Sequence, residues 1–236
     1  DMQKSGYINN IDNGFFACAL FIGVVMAVFC SLFIGTEYSD GTIRNKVVIG
    51  QKRTSIYLSN LIICALVSVV MCAAFFIAYL CIGIPLLGFF EMDIKQVLLF
   101  TLAVFVLAIA FASIFTLISM LNHNKAITAV VCILLAFLLL FAGAQFNKML
   151  NEPETNMGLM MTDNGQEYQE IPNPNYLEGG ERKVVQFLYD FVPGGQALQC
   201  VSLEANNITV LPAYSLIIIV LTTGFGVFFF KKKELK

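Results

Sequence analysis

Between two long apolar runs stands EYSDGTIRNKVVIGQKR, residues 37–53. It offers acids at Glu37 and Asp40, bases at Arg44, Lys46, Lys52 and Arg53, and Gly41, Thr42 and Ile43 between them. Alternating charge on a short, half-apolar segment suits recognition of a partner or an interface rather than bond breaking. The rest of the chain is poor in reactive constellations. Its seven cysteines form no CxxC pair, its one histidine, His123, lies in the turn NHNK, and no Ser/His/Asp set or metal-ligand spacing occurs. A GxxxxGK[ST] phosphate loop is also missing, so the chain has no ATP site of that kind. We expect no catalytic residue, no cofactor, no metal and no nucleic-acid partner.

The elements that carry the 37–53 segment follow from composition. The chain is 58% hydrophobic and 13% charged, with a mean hydropathy of +0.79, against about 25% charged in an ordinary soluble domain. A helix that crosses a membrane needs roughly 20 mainly apolar residues. Runs of that length lie at about 14–36, 58–82, 97–121, 126–146 and 208–230. The alternation of a membrane barrel is missing, so helical hydrogen bonding must satisfy the backbone within the hydrocarbon. The fold class is therefore all-α: a polytopic membrane protein, read as a single transmembrane domain over residues 1–236 with membrane lipids around it.

Placing 37–57, 122–125 and 231–236 on one side gives that side nine of the 14 Lys and Arg but three of the 16 carboxylates. The positive-inside rule makes this side cytoplasmic, with residue 1 outside and residue 236 inside a cell membrane. Residue 1 is Asp, and DMQKSGYINNIDNG has no export signal, so a further N-terminal span upstream is expected. No Asp, Glu, Lys, Arg or His lies inside the five runs, which disfavours an ion-driven carrier.

Between the runs the sequence predicts four connections. A short helix at about 40–49 is capped by Ser39 or Asp40 and closed by Gly50, with Ile43, Val47 and Val48 on its apolar face, and Thr54 or Ser55 caps the next span. At 83–96, Pro85 and Gly88 break the helix into an outer turn, and NHNK makes a tight inner turn. Residues 147–207 form the one sizeable aqueous, extracellular segment, in which ERKVVQFLYDFV and QALQCVSLE make a helical hairpin lying along the outer membrane face. Tyr38, Tyr57, Tyr79 and Tyr214 sit near span ends as interfacial anchors. Six cysteines read as packing residues, and Cys200 reads as exposed outside, leaving a bridge to Cys81 open.

The pattern Glu37-x3-Gly41-Thr42-Ile43-Arg44 directly after a span, with a basic stretch and IYLSNLI behind it, resembles the first cytoplasmic loop of ABC-2 type permeases, the membrane subunits of bacterial ABC exporters. NPNYLEGGERKVVQFLYDFVPGGQALQ, residues 173–199, resembles the outer loop before the last span in Firmicutes members of the peptide-antibiotic export and immunity type. The resemblance implies a six-span fold, of which five are visible. It also implies a separate ABC ATPase subunit, a second permease chain as homo- or heterodimer partner, and outward movement of a peptide, lipid or amphipathic drug. It makes Glu37, Gly41, Thr42, Ile43 and Arg44 the element that couples to the ATPase. A non-transport membrane subunit that docks a cytoplasmic protein for assembly or sensing uses the same helix and is the alternative.

Overall fold

A computed structural model describes residues 11–162 and 165–233, with side chains left aside at Asn13 and across 159–169. Five helices are long and apolar enough to cross a membrane: α2 (Cys18–Ser39), α4 (Arg53–Leu87), α5 (Ile94–Leu121), α6 (Lys125–Leu150) and α9 (Val210–Lys232). A single turn, α1 (Asp12–Phe15), precedes them, and α3 (Thr42–Val48) joins α2 to α4. The connection from α6 to α9 holds strands β1 (Thr155–Thr162) and β2 (Gly165–Pro172), then α7 (Gly179–Phe191) and α8 (Pro193–Ser202). The chain is an all-α multi-pass membrane protein, with this one small hairpin outside the helices.

The helix α5 lies at the centre, packed on α2, α4 and α9. It does so because it presents small buried residues, Ala103, Ala108, Ala110, Ala112 and Ser113, which let neighbouring backbones approach. Ser113 adds a hydroxyl hydrogen bond to Thr222 of α9 at 2.8 Å. On the outer faces of α4, α6 and α9, Leu66, Val70, Leu138, Phe141 and Val220 are exposed, as expected of surfaces whose solvent is lipid rather than water.

Several connections differ from the sequence reading. The helix α4 runs through Pro85 and ends only at Leu87, where Gly88 turns with φ +87°. Proline one turn from the end removes a single backbone bond, and the apolar residues around it continue the helix to the glycine. The span α6 likewise extends to Leu150. The antiparallel pairing of β1 and β2, from Thr155 opposite Pro172 to Thr162 opposite Gly165, was not anticipated.

The largest correction concerns the helical hairpin. Both helices form, but α8 does not lie on a membrane face. It is wedged against α2, α5 and α6, with Pro193 to Ala197 buried. The contact with α6 is backbone to backbone, since a Cβ on Gly143 would lie 2.5 Å from the Gly194 carbonyl carbon and one on Gly194 would strike the Leu139 carbonyl. Buried polarity is satisfied locally: Ser215 donates to Gln196 Oε1 at 2.6 Å. Cys200 is consequently buried rather than exposed, and both it and Cys81 are free thiols. Tyr57 is not an anchor either. Its ring is fully buried, in a space that exists because Gly226 of α9 has no side chain.

Candidate coupling site at the basic end

All five spans have one end near the basic residues, and α3 packs there against α2 and α4. Gly41 starts α3 in the left-handed region, φ +69°, which glycine adopts without strain. The expected caps are not used: neither Ser39 nor Asp40 caps α3, and neither Thr54 nor Ser55 caps α4, whose N-cap is Lys52. Ser39 instead donates back to the Gly35 carbonyl within α2. At the other end Gly50 takes φ +90°, with Gly50 N–H bonded to Val47 O and Gln51 N–H to Lys46 O. This is the glycine stop that the sequence predicts.

What holds α3 in place is Glu37, in the last turn of α2. Its Oε1 accepts from Lys46 Nζ at 2.6 Å, and its Oε2 accepts from Asn60 Nδ2 of α4 at 2.8 Å. One carboxylate thus ties α2, α3 and α4 together. Asn60 is fully buried and also points Nδ2 at Met120 Sδ of α5, 3.5 Å away. Ile43 is fully buried beneath α3, and Val47 packs on the core. Val48, expected on that apolar face, is 76% exposed, and Ile49 beside it is 74% exposed. Val48 follows Val47 by about 100° of helix rotation, so a seven-residue helix cannot turn both inward. Arg44 and Asn45 are exposed as well.

Of the five sequence-predicted residues, Glu37, Gly41 and Ile43 therefore position the helix, and Thr42 lines the foot of a groove. Arg44 alone reaches outward. The groove, about 770 Å³, runs along α2 past Val25, Val28, Leu32 and Met71 and ends at Glu37, Asp40 and Thr42.

A second layer, unseen in the sequence, closes the ends of the spans. Arg53 Nη1 donates to the carbonyls of Phe230, Lys231 and Lys233, where α9 leaves its last acceptors unbonded. Lys125 Nζ donates to Thr36 Oγ1 at 2.7 Å. Lys233 Nζ lies 4.5 Å from the Tyr38 ring centroid and donates to Tyr38 Oη at 3.0 Å and to Met120 O at 2.9 Å. Burial lowers the Lys233 pKa to about 8. Nothing in the spacing of Glu37 and Asn60, 23 residues apart, announces their contact. The one available signal was an isolated amide inside an apolar run. Among the described residues, no group of three or more His, Cys, Asp or Glu is placed to hold a metal ion.

Residues 1–143, which include this whole segment from α2 to α4, match the family described as ABC-2 family transporter protein. The chain belongs to the ABC-2 transporter family. The ABC-2 match spans α1 to α5 and most of α6, whereas α7, α8 and α9 lie beyond it. Neither the curated proteins nor the solved structures offer a match. As an ABC-2 protein it is a permease subunit of an ABC transporter, and the ATPase it works with is a separate subunit.

Proposed function

We propose that this permease is the membrane half of an ATP-driven exporter in the cell membrane, with the basic end cytoplasmic and α3 as its contact with the ATPase. The orientation is supported by the nine-to-five distribution of basic residues, which lies in short loops where the rule is strongest. The coupling role rests on one observation. The helix α3 is anchored through Ile43 and the Glu37 carboxylate, yet leaves Arg44, Val48 and Ile49 uncovered. An anchor that merely lay in lipid would have no need of a charge-locked connection to two spans. A lever that passes ATP-driven closure into the bundle requires one, because force crosses only through contacts that do not slip.

Two permease chains with the pathway between them, and lipid around the pair, complete the reading. The exposed apolar flank of α2, with its groove ending at α3, supports a neighbour in the membrane on that side. The cargo is a peptide, a lipid or an amphipathic drug, of which peptide-antibiotic export of the Firmicutes type is the narrowest form.

Arg44→Glu tests the coupling element directly. It reverses the one charge that α3 directs outward and leaves the Glu37 lock untouched. We expect the permease to express and fold normally, while ATPase co-purification and cargo-stimulated ATP hydrolysis in proteoliposomes fall at least fivefold. Unchanged coupling would reduce α3 to a membrane anchor and favour the assembly or sensory subunit.

A further inference from the structure

The end of the bundle opposite α3 carries a polar cavity that the coupling argument does not use. It encloses about 270 Å³ between the last turn of α6, α7, α8 and the loop that leads to α9. Its wall includes Asn147, Arg182, Gln186, Tyr189, Gln199 and Glu204, an unusual density of amides and charge in so apolar a chain. Arg182 spends one guanidinium donor on the Leu150 carbonyl, 3.0 Å away, at the end of α6. It forms no ion pair with Glu204 although both line the same space.

The amides are oriented from behind. Gln186 Nε2 donates to Asp190 Oδ1 at 2.8 Å, and Gln199 Nε2 donates to the same oxygen at 3.1 Å and to the Tyr189 carbonyl at 3.4 Å. Both glutamines have thus turned their nitrogens toward Asp190, and their Oε1 acceptors receive no hydrogen bond from a described residue. Gln199 is nearly fully buried and lines the cavity. Asp190, whose carboxyl pKa is raised by burial, stands behind both amides.

We propose that this cavity binds a small zwitterion of the amino-acid or dipeptide class, its ammonium group donating to Gln186, Gln199 and Glu204 and its carboxylate paired with Arg182. The guanidinium has the Leu150 carbonyl and the Tyr176 ring, 5.8 Å away, but no carboxylate, so a lone cation would leave it without a counter-charge and a lone anion would leave the acceptors empty. A ligand carrying both charges a few ångströms apart satisfies each side. The ligand comes from water. The exposed apolar residues of α7, Val184 and Phe187, lie on the opposite side of that helix from Arg182, Gln186 and Tyr189, so the polar wall is turned away from lipid. The site is distinct from the ATPase contact and stands whether or not the cargo is a peptide.

The whole chain in lipid nanodiscs, titrated calorimetrically with glycylglycine, tests this. Saturable binding is expected, weakened roughly tenfold or more by N-acetylation or by C-terminal amidation of the dipeptide, since each removes one charge-assisted contact. Glu204→Gln, at an exposed position that touches no helix packing, should weaken glycylglycine by a similar factor and leave the amine-blocked dipeptide unchanged. Absence of saturable binding overturns the proposal, as does equal binding of the blocked dipeptides. Tighter binding of phosphoethanolamine than of glycylglycine also overturns it, by assigning the cavity to a lipid headgroup. Retention of the ATPase subunit by the same preparation keeps any of these failures separate from a failure of the coupling reading.

Discussion

The two ends of this bundle are held by different kinds of contact. At the basic end the spans are joined through long side chains that reach across to a carboxylate or to backbone carbonyls: Glu37 to Lys46 and Asn60, Arg53 to α9, Lys125 to Thr36, Lys233 to Tyr38 and Met120. At the far end the joint is made by absence of side chains, with Gly143 and Gly194 in backbone contact, and by an aromatic cluster. In that cluster the Phe15 ring centroid lies 4.7 Å from that of Phe76, the planes tilted, and 5.0 Å from that of Phe90, edge to face. Side-chain hydrogen bonds and ion pairs tie the spans at chosen points, whereas close-packed backbones join them along a surface. The end proposed to meet the ATPase has the point contacts. The end with the polar cavity has the close-packed backbones.

The sharpest way to break this contrast is at Gly194. A leucine there must displace either α8 or the Leu139 carbonyl, and overpacking of this kind costs about 3 kcal/mol or more. We expect Gly194→Leu to lower the thermal midpoint of the solubilised protein severely or to abolish its expression. Gly180→Ala, on α7 where a Cβ meets open space, should do neither. Equal behaviour of the two variants would show that the far end is no tighter than the basic one.

Glu37→Gln should have a smaller effect on stability and a larger one on α3. The glutamine retains one acceptor but loses the charge that holds Lys46, and the partly buried lock weakens by about 1–2 kcal/mol. Proteolysis or hydrogen exchange confined to residues 40–52 should accelerate, with the five spans protected as in the parent. Global acceleration would mean that the carboxylate supports the bundle rather than the helix.

Legibility of the sequence follows the same division. The five spans, the position of the α3 segment and its Gly50 stop were readable because each depends on residues near one another in the chain. Ile43, on the apolar face that the sequence predicts, is fully buried. The Glu37 to Asn60 bond, the Arg53 cap on α9 and the burial of Tyr57 under Gly226 depend on which helices become neighbours. No local pattern encodes that. The helix α8 misled in an instructive way: Pro193, Gly194, Gly195, Gln196 and Gln199 look aqueous, yet the glycines permit close packing and the glutamines find Ser215 and Asp190. The β1–β2 pair had a signal in Asn164-Gly165, a dipeptide favoured at hairpins. Of its two arms only Met157 to Met161 is apolar, and the other, GQEYQEIP, lacks the pattern of a core strand.

The smallest expected effect, and the one most specific to the basic end, concerns Lys233. Its pKa is depressed to about 8 by burial, so the folded protein binds this proton less readily than the unfolded chain, where a lysine titrates near 10.4. The charged ammonium therefore carries an unfavourable contribution that is fully present below about pH 8. That contribution is relieved as pH rises from there toward the unfolded value. Stability should accordingly increase modestly between pH 8 and pH 10, the direction expected of any group whose pKa is lower in the folded than in the unfolded chain. The neutral amine still has a proton to give to the Met120 carbonyl, so the contact itself survives deprotonation. Lys233→Met removes the titration while keeping an unbranched apolar stem against the Tyr38 ring. The difference in thermal midpoint between parent and variant should change with pH across this window in the parent's favour and stay flat below it. A pH-independent difference would place the ammonium in water rather than against Tyr38 and Met120, and would remove Lys233 from the contacts that close the basic end.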